Sequence, residues 1–133
     1  MSMMSRDERK DIKRGGRFTS GIRCSFNGLK YSYKNEQSVL IQLPITFLII
    51  IIGILFKISV MEWIIVVLCL GIVLTISLVN TSIEATVDLV TEEYNPIAKI
   101  AKDVSASAVL AASLMSVVVG FIIFVPKFIS ILK

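Results

Sequence analysis

The chain has 133 residues, 55% of them hydrophobic, a mean hydropathy of +0.81 and a net charge of +4. That composition is too apolar for an ordinary soluble domain and describes a small integral membrane protein whose positive charge points to anionic lipid headgroups rather than nucleic acid. There is no histidine, which excludes histidine-based catalysis and the common histidine-containing zinc sites and leaves acid–base work to carboxylates.

Residues 1–16 are charged, end in Gly15-Gly16 and read as a loosely ordered polar tail. No apolar core of a cleavable signal peptide lies in the first 38 residues. After the tail, Phe18, Ile22, Phe26, Leu29 and Tyr33 fall within roughly 80° on a helix, opposite Arg23, Asn27, Lys30 and Lys34. The pattern predicts an amphipathic helix lying on the membrane surface. Glu36 marks its junction with the first of three uncharged runs, 39–56, 63–79 and 104–126, each expected to cross the membrane as a helix. The first two are short, so they span only nearly upright or with snorkelling flanks. Pro44 is expected to kink the first span or to mark where its helix restarts. Trp63 opens the second at a place suited to an interfacial anchor. Nine of the 14 Lys and Arg residues precede Glu36, and Lys99 and Lys102 lie before the third span. The positive-inside rule therefore puts the N-terminus and the second loop in the cytoplasm, with Lys57 to Glu62 outside.

The second span changes character without a turn signal. Ser77, Asn80, Glu84 and Asp88 fall within an arc of about 80°, so a polar stripe grows out of a hydrophobic helix. Ionisable groups at membrane depth are costly unless they face a bundle interior or water, which makes the stripe a candidate site. Five of the ten acids lie between Glu84 and Asp103, and Asn95-Pro96 is expected to break this region into two helical pieces. In the third span Ala108, Ala112, Ser116 and Gly120 make a smooth face for helix packing. Cys24 and Cys69, in different segments, read as neither a disulfide nor a metal pair.

Soluble-enzyme signatures are missing. Gly16 and Gly21 have phosphate-loop spacing, but Ile22-Arg23 follows where Lys and Ser/Thr are required. What remains is a set of carboxylates, Glu84, Asp88, Asp103 and Glu36, with Asn80, Lys99 and Lys102 nearby. Carboxylates that hold Mg²⁺ beside a lysine that steadies phosphates are the minimal equipment of phosphoryl transfer. A pore would need the polar stripe to cross the bilayer, and Trp63 to Leu74 carries no strongly polar residue.

Asn80-Thr81-Ser82-Ile83-Glu84, Val87-Asp88, Glu93-Tyr94-Asn95-Pro96 and Ala101-Lys102-Asp103-Val104-Ser105-Ala106 together resemble the prokaryotic diacylglycerol kinase family, in particular its Gram-positive undecaprenol kinase branch. The resemblance runs from about Arg17 to the C-terminus. It implies an all-α, homotrimeric kinase of the bacterial cytoplasmic membrane, a surface helix plus three spans in a single domain over 17–133. That enzyme would pass the terminal phosphate of ATP, with Mg²⁺, to a lipid alcohol such as undecaprenol or diacylglycerol. By position, Glu36 and Glu84 would hold the metal, Asn80 and Asp88 would support it, and Lys102, Asp103, Glu36 and Arg17 would contact the nucleotide.

Ser77 departs from the pattern, because the family has a glutamate there, the general base for the lipid hydroxyl. After Glu36, Ser38 and Val39 replace the usual asparagine and aromatic residue. Losing a general base costs on the order of 10² to 10⁴ in rate. Two readings follow: an active kinase in which Asp88, Asp103 or a water stands in, or a catalytically impaired member acting as a nucleotide- or lipid-binding or regulatory subunit.

Overall fold

The structure, a computed structural model, describes residues 17–35, 37–91 and 93–132, with the side chains of 17–19, 34–35 and 37–39 left aside. The predicted tail 1–16 and Glu36 lie outside the described residues. The described residues form four helices and no strand: α1 Arg17–Asn35, α2 Gln37–Leu55, α3 Val60–Val90 and α4 Pro96–Leu132. The chain divides into two compact units, Met1–Asn35 and Glu36–Lys133.

In the first unit, α1 follows the predicted amphipathic pattern, and Ile22, Phe26, Leu29 and Tyr33 are all exposed. In the second, α2 runs unbroken through Pro44, so the proline neither ends nor restarts the helix. It closes at Gly53 to Ile58. Lys57 takes a left-handed conformation (φ 48°), its N–H donates to Ile54 O (3.1 Å), and Ile58 N–H donates to Gly53 O (3.2 Å). This is a Schellman stop with lysine where glycine is usual, and Ile58 folds back onto the last turn as the motif favours. Two residues later Ser59 caps α3. Its hydroxyl accepts from Glu62 N–H (3.3 Å) and its N–H donates to Glu62 Oε2 (2.6 Å), a complete capping box.

From there α3 continues for 31 residues, about 46 Å, without a break. It ends at an extended Thr91, and α4 restarts at Pro96 with Asn95 as its cap: Asn95 Oδ1 accepts from Ile97 N–H (2.8 Å) and Ala98 N–H (3.4 Å). The expected break at Asn95-Pro96 is thus a helix start, with proline at the first helical position where its missing N–H costs nothing.

Helix α3 packs along α4 and touches α2 at fewer points. Two ion pairs fix the α3–α4 register, Glu62 with Lys127 (3.0 Å) and Asp88 with Lys102 (2.5 Å). In both pairs the two residue numbers add to the same value within one, as an antiparallel hairpin without a slip requires. Along α3 the pairs stand about 39 Å apart, more than the roughly 30 Å of hydrocarbon, so the apolar stretch fits between them. Among the less exposed residues, 66, 70, 73, 77, 80, 84 and 87 of α3 and 98, 102, 105, 109, 112, 116, 119 and 123 of α4 form two series that alternate spacings of four and three, the rhythm of a left-handed helical seam. Ala112 and Ser116 lie in that seam, but Ala108 is exposed and nothing approaches within 4 Å of a Cβ built on Gly120.

The buried apolar core lies at one end. Ile58, Val66 and Ile123 are buried, with Ile49, Phe56, Trp63, Leu70, Val119 and Phe124 against them and the Phe56 ring 6.1 Å from that of Phe124. Elsewhere Ile64, Val67, Leu68, Leu110, Leu114, Met115, Phe121 and Ile122 are exposed, a surface suited to lipid rather than water. Two helices, α3 and α4, are long and apolar enough to cross a membrane; the described apolar part of α2, Leu40–Leu55, is shorter.

Trp63 does more than mark an interface. A Cβ on Gly53 would lie 2.8 Å from Trp63 Cη2 and 2.9 Å from Cζ2, so the indole closes over a helix surface that only glycine leaves open. Gly53→Ala is expected to lower the thermal unfolding temperature in detergent, because overpacking of about 1–3 kcal/mol exceeds the helix-propensity gain of about 1 kcal/mol. Adding Trp63→Phe, which removes the outer ring, should restore part of the loss beyond additivity.

Candidate functional site

The polar stripe is built by the uninterrupted α3. Because the helix does not stop where the apolar run ends, the positions that carry Val66, Leu70 and Val73 in the seam carry Ser77, Asn80 and Glu84 further on. Ser77, Asn80 and Thr81 are buried, and Ser105 of α4 is buried in the same unit.

Asn80, 6% exposed, donates from Nδ2 to Glu84 Oε1 (2.9 Å) one turn on. A carboxylate only accepts, so the amide nitrogen must face Glu84 and the amide oxygen is the atom left over. That Oδ1 is buried with no hydrogen-bond partner among the described residues, a state that costs about 1–3 kcal/mol. A buried acceptor beside a half-exposed carboxylate is a pair of hard oxygen ligands lacking a donor or a cation.

One turn beyond Glu84, Asp88 accepts from Lys102 Nζ of α4. Lys102 lies ahead of the apolar run that begins at Val104. The hydrogen bond it donates to Asp88, with the charges of Asp88 and Glu84, holds its ammonium above the ordinary lysine range, so it is fully cationic. Asp103 is elsewhere: it pairs with Lys99 at 3.9 Å in an exposed contact on α4's own surface, of the kind that contributes little.

Ser77 is 3% exposed and its hydroxyl is committed to its own helix, donating to Val73 O (2.9 Å), with Gln42 Oε1 at 3.5 Å. Thr81 repeats the pattern on Ser77 O (3.1 Å). These back-bonds keep small polar groups satisfied within an apolar helix.

The structure therefore brings together Asn80 with Glu84, and Asp88 with Lys102; it sets Ser77 apart with Gln42, and Asp103 with Lys99. Glu36 and the side chain of Arg17 lie outside the described residues. Among the described residues no group of three or more His, Cys, Asp or Glu stands close enough to hold a metal ion. Two participants escaped the sequence reading. Glu62 was legible as a Ser-x-x-Glu capping box ahead of an apolar run, and Gln42 as a lone amide within one.

These features define a helical membrane protein with a polar, oxygen-rich site at the end of an apolar hairpin. The sequence pattern of prokaryotic diacylglycerol kinases matches residues 23–124, and the chain belongs to that family. It is accordingly an ATP-dependent lipid kinase, which transfers phosphate to a lipid alcohol. It is 34% identical over 125 residues to the undecaprenol kinase of Bacillus subtilis (strain 168), covering 94% of this chain and 99% of that protein. It is 30% identical over 112 residues to a diacylglycerol kinase of Synechocystis sp. (strain ATCC 27184 / PCC 6803 / Kazusa), covering 84% of this chain and 64% of that protein.

Asn80→Leu removes the unpartnered acceptor and leaves Glu84 to be solvated. The nucleotide-free variant is expected to unfold at a higher temperature in detergent, with a gain of about 1 kcal/mol. A lower unfolding temperature would mean that Asn80 Oδ1 is satisfied in the protein as purified.

Proposed function

We propose that the chain is an undecaprenol kinase of the plasma membrane, working as a homotrimer of three-span subunits. In this reading residues 17–133 act as one lipid-kinase domain after a polar tail, α1 lies on the membrane surface, and the N-terminus and the 91–95 loop are cytoplasmic. The observation that carries it is the Asn80–Glu84 pair, with its unpartnered amide oxygen, placed one turn from a lysine at the end of an apolar helix. Undecaprenol is preferred as acceptor because the relative matched over almost its whole length is an undecaprenol kinase.

Glu84 and Asn80 Oδ1 would supply oxygen ligands for Mg²⁺, to which the resemblance adds Glu36; the ion would neutralise charge on the ATP phosphates. Lys102, presented by α4 and steadied by Asp88, meets the phosphates as a point charge. Asp103 and Arg17 join the nucleotide contacts through the resemblance alone. In the transfer, the lipid oxygen bonds to the terminal phosphorus as the bond to the bridging oxygen breaks, and ADP leaves with that electron pair. The lipid's proton goes to water or to a phosphate oxygen. In this reading water rather than Asp88 or Asp103 stands in for the missing base, a choice supported by the Asp88–Lys102 and Lys99–Asp103 pairs and by the roughly 16 Å along the helix between Asp88 and Ser77. Because this transfer relies on positioning and charge neutralisation, the absence of a base slows it without abolishing it.

The buried, self-bonded Ser77 favours a second reading, a catalytically impaired member that binds nucleotide or lipid or regulates an active partner. Transfer of labelled terminal phosphate from MgATP to undecaprenol, and separately to diacylglycerol, in mixed micelles decides between them. Label is expected in undecaprenyl phosphate with the native protein, none with Glu84→Ala, and on the order of 10²-fold more with Ser77→Glu. A native protein that binds MgATP but transfers nothing, beside an active Ser77→Glu, would establish the regulatory reading instead.

A further inference from the structure

Gln42 is the polar residue that neither the resemblance nor the reaction above uses. It sits in the apolar α2 among exposed Leu40, Ile41, Leu43 and Ile45. It is itself half-buried, and it reaches across to α3. Its Nε2 donates to Leu70 O (3.3 Å), which leaves Oε1 pointing at Ser77 Oγ, 3.5 Å away. That second contact is at the limit of a hydrogen bond, and the Ser77 proton has a better acceptor in Val73 O at 2.9 Å. Gln42 therefore holds a strong amide acceptor almost unused inside an apolar segment, a costly arrangement unless another donor takes it. The site where that donor would sit is one helical turn, about 4.5 Å along the axis, from Asn80.

We propose that Gln42 is the acceptor-binding residue of this kinase: its amide oxygen receives the hydroxyl of the lipid alcohol and, beside Ser77, points the alcohol oxygen toward the phosphate held at Asn80 and Glu84. This rests on the lipid kinase reading and deepens it. A hydroxyl is the donor that fits, because a lipid alcohol brings one O–H on an otherwise apolar chain, and α2 offers an apolar wall on both sides of the amide. Gln42 takes up no proton and orients the nucleophile only. An amide that merely glues two helices would also contact α3, so the test reads the lipid and nucleotide terms separately.

The experiment is steady-state transfer by the full chain in mixed micelles, with undecaprenol and MgATP varied in turn, for the native protein, Gln42→Met and Gln42→Asn. Methionine keeps the length and apolar volume without the amide. Gln42→Met is expected to lose about tenfold in kcat/KM for undecaprenol, the loss of one hydrogen bond, with KM for MgATP unchanged within about twofold. Gln42→Asn, which keeps an amide one methylene short, should fall between the two and carries the test if the methionine variant does not fold. Equal losses in the lipid and nucleotide terms, with a lowered unfolding temperature, would overturn the proposal and make Gln42 a helix tether. Unchanged kinetics in both variants would overturn it as well. Native protein that transfers phosphate to no alcohol would bring down the kinase reading and this inference together, whereas failure of the inference alone leaves native transfer intact.

Discussion

The arrangement of the Glu36–Lys133 unit depends on α3 being one helix from Val60 to Val90. In lipid every backbone polar group must be satisfied within its own segment, and an uninterrupted helix does this at every residue. Continuity also fixes where side chains point. The seam that buries Val66 at one end must present Asn80 and Glu84 at the other, because the same face is carried forward turn by turn. Had the chain turned after Val79, as the end of the apolar run would permit, the polar residues would sit in a solvated loop. They would then have no α4 beside them.

The two ends of the hairpin are built for different ends. Around Gly53, Ile58, Trp63 and Ile123 the packing is apolar and close, locked by a Schellman stop, a capping box and the Glu62–Lys127 pair. The polar end replaces such contacts with side-chain hydrogen bonds within single helices and one exposed lysine–carboxylate pair. Rigid packing at one end sets the register of both long helices, and the antiparallel geometry transmits that register to Asp88 and Lys102. Precision at the site is thus supplied from the far side of the hairpin.

Much of this was legible in the sequence. The amphipathic period of α1, the polar stripe on α3 and the restart at Asn95-Pro96 follow from local rules of periodicity and capping. Of the two outcomes expected at Pro44, a kink or a restart, the restart does not occur, because a proline in an apolar helix need not end it when neighbouring segments hold the helix in place. The pairing of acids with lysines was not readable: Asp88 and Asp103 are equally acidic on paper. Only the α3–α4 register decides that Lys102 reaches Asp88 while Lys99 stays with Asp103. The role of Trp63 over Gly53 was hidden for the same reason, since it depends on how α2 and α3 meet.

The unpartnered oxygen of Asn80 and the idle oxygen of Gln42 make one physical point. Asn80 Oδ1 is a buried acceptor with no hydrogen-bond partner among the described residues, and Gln42 Oε1, on a half-buried side chain of α2, has only the 3.5 Å contact with Ser77, one turn of α3 away. Hydrophobic residues of similar size would pack there without that penalty, so the polar layer is a stability cost the helices carry. Such a cost is tolerated where ligands supply the missing partner, and the two atoms call for different ones. Asn80 Oδ1 sits beside a carboxylate, where a cation is favoured. Gln42 Oε1 belongs to an apolar helix whose flanking residues are Leu40, Ile41, Leu43 and Ile45, where a neutral hydroxyl is favoured over an ion. The order of these environments along α3, charged and then neutral, matches the order in which a nucleotide from water and an alcohol from lipid would have to meet.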